Sequence, residues 1–250
     1  MSRKRPIKKV KSSQELYRNA GQQNNKIFIT PKLEPKTPAQ KEYIDMMSKK
    51  EILFCGGPAG TGKSYCSVAY GLLCVLGGYY EKLILIRPAI TSEEIGLLPG
   101  DISEKVGPFM EPVMNIVDKF LSPEQFAKMQ KEGKIEVRSL AYLRGLTLDN
   151  SFIIIDESEN CNKKQLMLIV TRIGNNSKLI VEGDETQSDL KRGDTLAFAR
   201  HLDIFEDYCE QIGTFRFTED DIVRNKIIGV YLKAIKEKYE TNSFDTEKRK

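Results

Sequence analysis

The chain is poor in the residues that build metal and redox centres. Its 250 residues hold one histidine, His201, and five cysteines (Cys55, Cys66, Cys74, Cys161, Cys209), none of them in a C-x-x-C pair. Structural zinc needs closely spaced Cys and His ligands, so that class is excluded. The odd cysteine count, with Cys55, Cys66 and Cys74 in apolar surroundings, reads as reduced thiols. Long apolar runs are missing too. No stretch approaches the ~20 residues of a membrane helix. Met1-Ser-Arg-Lys-Arg-Pro6 carries charge with no apolar run behind it, unlike a secretory signal. The expected location is the cytoplasm. The length suits one medium domain with or without tails, and 40% apolar residues suffice for a core.

Net charge is small, at +4, but unevenly placed. Residues 1–36 carry ten Lys or Arg against two acids, an excess of eight, and the remainder has a deficit of four. This segment is polar and Pro-containing and is expected to be a largely disordered basic arm. Such an arm can neutralise nucleic-acid phosphates, or it can be a solvated tail with no partner.

What the chain does have is Gly57-Pro58-Ala59-Gly60-Thr61-Gly62-Lys63-Ser64, which fits the phosphate-loop pattern G-x-x-x-x-G-K-[ST]. Glycines let the backbone turn tightly and aim N–H groups at a phosphate chain. Lys63 can reach the outer phosphates, Ser64 can ligate magnesium, and the following helix adds its positive N-terminal dipole. An apolar run, Ile52 to Cys55, precedes the loop, and an apolar segment suited to a buried helix, Ser64 to Leu76, follows. Strand, loop and helix is the context the motif requires.

Two further strands end in polar groups. Phe152-Ile153-Ile154-Ile155 runs into Asp156-Glu157. In loop-type nucleotidases the first carboxylate holds magnesium, and the second is placed to polarise the attacking water. Leu179-Ile180-Val181-Glu182 runs into Gly183-Asp184-Glu185-Thr186-Gln187. Gln187 can bond both a γ-phosphate and the attacking water, while Asp184 and Glu185 can instead cap a following helix. Apolar runs at 52–55, 83–87, 135–138, 152–155 and 178–182 alternate with helical stretches. That alternation predicts an α/β fold, a mostly parallel sheet with helices on both faces. Helices are expected at 38–49 and 219–239. The domain is expected over 37–239, with a polar tail over 240–250.

In its motif order the chain resembles the PhoH-like proteins, phosphate-loop ATPases related to superfamily 1 helicase cores. The resemblance runs from about residue 38 to 230. Beyond the loop it rests on Arg87-Pro88-Ala89, Gly96-Leu-Leu-Pro99-Gly100-Asp101 with Glu104-Lys105-Val106, and Leu143-Arg144-Gly145. Asp156-Glu157, Gly183-Asp184-x-x-Gln187 and Asp221-Ile222-Val223-Arg224 complete it. It implies a single RecA-like domain using ATP and magnesium, with a single-stranded nucleic acid, RNA rather than DNA, as partner. Gln40 looks like an adenine-reading residue, or it is part of a helix start capped by Thr37. Arg87 and Arg144 look like possible nucleic-acid contacts, Arg87 alternatively facing the nucleotide. Arg224 looks like an arginine finger on a late helix, or a surface arginine paired with Asp220 or Asp221.

Three motifs depart from the family pattern. Its Asp-Glu-Ala-Gln-Asn reads Asp156-Glu157-Ser158-Glu159-Asn160, which places an acid where an amide is usual. Its Arg-Gly-Arg-Thr reads Arg144-Gly145-Leu146-Thr147, and its Val-Arg-His reads Val223-Arg224-Asn225. Because one domain with a finger must use it on a neighbour or receive one, a head-to-tail homo-oligomer is expected, a hexamer by resemblance. A ring-shaped ATPase motor on single-stranded nucleic acid, with helicase or ribonuclease association, is the leading expectation. A non-hydrolysing nucleotide-gated binder and a phosphate-loop phosphotransferase are the alternatives.

Overall fold

The computed structural model describes residues 15, 16, 19, 20, 33–88, 111, 112, 114–185, 187 and 197–247. A first helix, α1 (Pro38–Lys49), leads into β1 (Ile52–Gly56), and the glycine-rich loop delivers the chain to α2 (Lys63–Leu76). Then come β2 (Lys82–Arg87), α3 (Pro123–Lys131), β3 (Ile135–Ser139) and β4 (Ser151–Ile155). The chain closes with α4 (Lys163–Val170), β5 (Lys178–Glu182), α5 (Ala197–Ile204), β6 (Ile212–Arg216) and α6 (Lys226–Glu247).

The helices begin where local chemistry favours it. Thr37 accepts a hydrogen bond from Gln40 N, with Pro38 in the first turn. Ser122 with Gln125, and Asn162 with Gln165, form reciprocal capping boxes for α3 and α4.

The six strands form one sheet in the order β3-β2-β4-β5-β1-β6, with every pair parallel. Its central strands are apolar on both faces, as a sheet covered twice demands. Alternate residues part to opposite cores. Leu53, Leu83, Leu85, Phe152, Ile154 and Ile180 meet α1 and α2 on one face. Phe54, Ile84, Ile153, Ile155, Leu179 and Val181 meet α4 and α5 on the other. The expected α/β fold class is what the structure shows. Helix α2 is buried almost all round, which explains its nearly continuous apolar sequence.

Three differences from the sequence reading matter. Strand β6 went unread because Ile212-Gly213-Thr214-Phe215-Arg216 is a half-buried edge strand with a glycine as its second residue, so its apolar signal is weak. The helix expected over 219–239 is divided: Glu219–Asp221 is a single 3₁₀ turn, and α6 starts only at Lys226 and runs to Glu247. Finally, part of the expected disordered arm is packed. Leu16, Ala20 and Leu33 are buried in the first core, and Asn19 Nδ2 donates to Tyr79 Oη at 2.7 Å. The rest of residues 1–32, and the motifs between Ala89 and Glu104-Lys105-Val106, lie outside the described residues.

Candidate active site

Strands β1, β4 and β5 are neighbours in the sheet, so their C-terminal ends bring three separate sequence motifs to one edge. Ligands of open parallel sheets bind outside such ends. Here the edge opens into a cavity of about 560 Å³.

The loop forms the floor. Gly60 and Gly62 take left-handed φ values of 90° and 89°, which side chains rarely adopt. Gly57 is needed for space as well, since a Cβ there would lie 2.6 Å from the Phe217 carbonyl oxygen. Thr61 is fully buried and donates to Pro58 O at 3.0 Å. The Lys63 ammonium, also buried, donates to Gly57 O at 2.5 Å and Pro58 O at 3.0 Å, within its own loop.

The carboxylates face the loop. Ser64 Oγ donates to Asp156 Oδ1 at 2.9 Å, so the two expected magnesium ligands are already together. Magnesium beside a nucleotide takes one or two protein oxygens, with phosphates and water completing the shell. This pair of hard oxygens fits that need, although among the described residues no cluster of three or more His, Cys, Asp or Glu could hold a metal. Glu157 has φ 58° and ψ 39°, a left-handed backbone unusual for a non-glycine residue. It lines the cavity with its side chain 47% exposed.

Glu159 lines the cavity as well, though buried, and accepts from Asp184 N at 3.1 Å. Burial pushes its pKa up to about 7, with nearby Asp156 and Asp184 adding to the rise. Gln187 lies on the cavity wall, and its Nε2 donates to Asp184 Oδ2 at 2.9 Å.

Of the two expectations for Gln40, the structure shows the helix start. The residue begins a helix capped by Thr37, and it is buried at the cavity wall. Its Nε2 donates to Thr61 O at 2.8 Å and its Oε1 accepts from Lys36 N at 2.7 Å, so α1 braces the phosphate loop.

Arg224 sits differently from its expectation. It is not on a helix but in the segment between the 3₁₀ turn and α6. It lines the cavity of its own chain, next to Val223, whose N–H donates to Gly60 O at 3.0 Å. Pairing β6 with β1 carries residues 217–224 back over the loop, which the chain order alone concealed. Asp220 pairs with Lys233 and Asp221 closes the turn onto Thr218. Arg216, at the end of β6, is held by Glu185, Asp203 and Glu206.

Arg87 is 7% exposed and points at the two carboxylates, pairing with Glu157 and lying 3.9 Å from Asp156 Oδ2. Arg144 is exposed beyond the 3₁₀ turn Leu140–Leu143, away from the cavity.

The sequence reading missed the opposite wall. Asn115, Ile116 and Lys119 face the cavity while Val117, Phe120 and Leu121 sink into the core, Phe120 with its ring 4.7 Å from that of Tyr65. The signal was a short helical periodicity in a segment to which the sequence reading gave no role.

A family model described as "PhoH-like protein" matches residues 32–236. A PhoH-like protein of Synechocystis sp. is 39% identical over 194 residues, covering 77% of this chain and 59% of that protein. One from Bacillus subtilis is 34% identical over 200 residues, covering 80% and 62%. Protein PhoH of Escherichia coli is 35% identical over 192 residues, covering 76% and 54%. The chain thus spans between half and two thirds of the length of these relatives. Among solved structures, the Pyrococcus furiosus Hef helicase domain aligns with a TM-score of 0.44 at 13% identity, covering 76% of this chain and 40% of that one.

Proposed function

Because the chain belongs to the PhoH-like family, we propose that its cavity binds ATP with magnesium and hydrolyses it. The observation that carries this reading is convergence. The phosphate loop, the Ser64–Asp156 pair, Glu157, Gln187 and Arg224 arrive from four separate stretches of chain at one cavity. In this reading the loop amides and Lys63 hold the phosphates, and Ser64 with Asp156 holds magnesium, which offsets phosphate charge. Glu157 polarises the attacking water, Gln187 orients it, and Arg224 meets the charge that develops in the transition state.

Coupling to single-stranded nucleic acid, RNA before DNA, is part of the same proposal and is supported by the basic excess of residues 1–36. So is a homo-oligomer, six-membered by family resemblance, although Arg224 does not require one, since the cavity it lines belongs to its own chain.

The test is ATP binding and phosphate release, with and without single-stranded RNA or DNA. Lys63→Ala is expected to weaken binding at least tenfold, roughly the loss of one phosphate cation. Glu157→Gln is expected to keep binding and lose turnover by roughly a hundredfold or more, the scale of general-base removal. Wild-type turnover in both variants would overturn the assignment.

A further inference from the structure

We propose that Arg87 is a positioning residue for hydrolysis, orienting the Glu157 carboxylate. The proposal rests on the ATPase reading and adds a residue to it. Strand β2 lies beside β4 with Ile86 opposite Ile155, and Asp156 N donates to Ile86 O at 3.1 Å. The backbone therefore fixes the root of Arg87 against the start of the acidic turn. Its side chain is buried, so little of its charge faces outward. One guanidinium nitrogen, Nη2, pairs with Glu157 Oε1, and Nε lies 3.9 Å from Asp156 Oδ2.

The two acids are thereby given different jobs. Asp156 has its other oxygen committed to Ser64 at 2.9 Å, on the metal side of the cavity. Glu157 stands on a left-handed backbone, half exposed at the cavity. A side chain so placed sweeps many rotamers unless something holds it. A planar guanidinium, with donors in a fixed fork, can hold one carboxylate while staying near a second, which an ammonium does poorly. Arg87 thus sets where the water-activating oxygen points without touching the nucleotide.

The experiment measures ATP turnover, ATP KM and MgADP affinity for Arg87→Gln and Arg87→Lys in the full chain, together with the same changes in a Glu157→Gln background. Arg87→Gln is expected to lower kcat roughly 10- to 100-fold, the scale of a misplaced catalytic group. KM and MgADP affinity should stay within about twofold, since ground-state binding is untouched. Arg87→Lys should fall between, keeping the cation and losing the fork. In the Glu157→Gln background, followed under single turnover, Arg87→Gln should add no further loss.

A parallel rise in KM and in the MgADP dissociation constant would make Arg87 a nucleotide contact and overturn the proposal. So would an equal further loss on top of Glu157→Gln. Thermal unfolding of the two single variants and the double variant supplies a readout independent of turnover. Non-additive midpoints are expected of the pair, and additive ones would refute it. If Arg87→Gln does not fold, Arg87→Lys carries the comparison, and wild-type kcat in that variant refutes the need for the fork. A wild-type chain that binds ATP but releases no phosphate overturns the ATPase reading itself and this role with it.

Discussion

Burial of one side chain at the cavity makes the fold sensitive to pH. The Glu159 carboxyl has a folded-state pKa near 7, above the ordinary value of 4.5, because burial disfavours its charge. Its protonated form is the one the fold prefers. The stability tied to that proton is fully present below about pH 4.5 and is lost as pH rises through about 7. The fully buried Glu182, which accepts from Tyr43 Oη at 2.6 Å, shifts the same way for the same reason. In nucleotide-free, metal-free protein, Glu159→Gln is therefore expected to raise stability at pH 8 more than at pH 5, by up to about 3 kcal/mol. Thermal midpoints of both proteins at the two pH values check this, and equal shifts at both would refute it. The substitution also restores the amide that the family resemblance leads one to expect.

At the scale of elements, the phosphate loop is held from outside as much as from within. Helix α1 reaches it through Gln40, and α1 is itself fixed at its C-terminal end by Lys178 of β5. The buried Lys178 ammonium donates to the carbonyls of Met47 and Lys50, which the helix end leaves without partners. Lys178→Met keeps the apolar stem and removes the donor. It should cost about 2–3 kcal/mol in urea unfolding, the worth of charge-assisted bonds to buried acceptors. ATP affinity should fall with it, since Gln40 would lose its firm base. Intact stability would assign the lysine no such role. The residue gave no hint of this in sequence, where it reads as the polar start of an apolar run. Helix α1 itself was legible from Thr37, Pro38 and its apolar spacing.

At the scale of the molecule, two expectations change. Removing residues 1–36 is no clean test of the basic arm, because Leu16 and Leu33 are buried in the core. Truncation should cost about 3–6 kcal/mol, the range for losing two buried leucine side chains. Replacing Arg3, Lys4, Arg5, Lys8, Lys9 and Lys11 by Gln should leave the melting temperature alone and flatten the salt dependence of any nucleic-acid binding. Melting curves and binding titrations across salt would separate the two effects. The second change concerns Arg224. Mixing Arg224→Ala chains with Lys63→Ala chains should return no ATPase, because each intact arginine lines the cavity of its own damaged loop. Recovery in demonstrably mixed oligomers would place the finger in trans after all.

The sequence by itself determined the elements whose physics is local. The glycines of the phosphate loop, the five apolar runs and the cap at Thr37 each dictate backbone conformation within a few residues, and each is where it was read. It also placed Asp156, Glu157 and Gln187 at strand ends, because polar residues closing an apolar strand have few other places to go. Only the tertiary structure decided which of these meet. Pairing β6 with β1 brings Arg224 to its own loop, β2 beside β4 turns Arg87 inward to the carboxylates, and Arg144 is left outside. Those outcomes depend on strand order, a property of long-range packing that no short window of residues encodes.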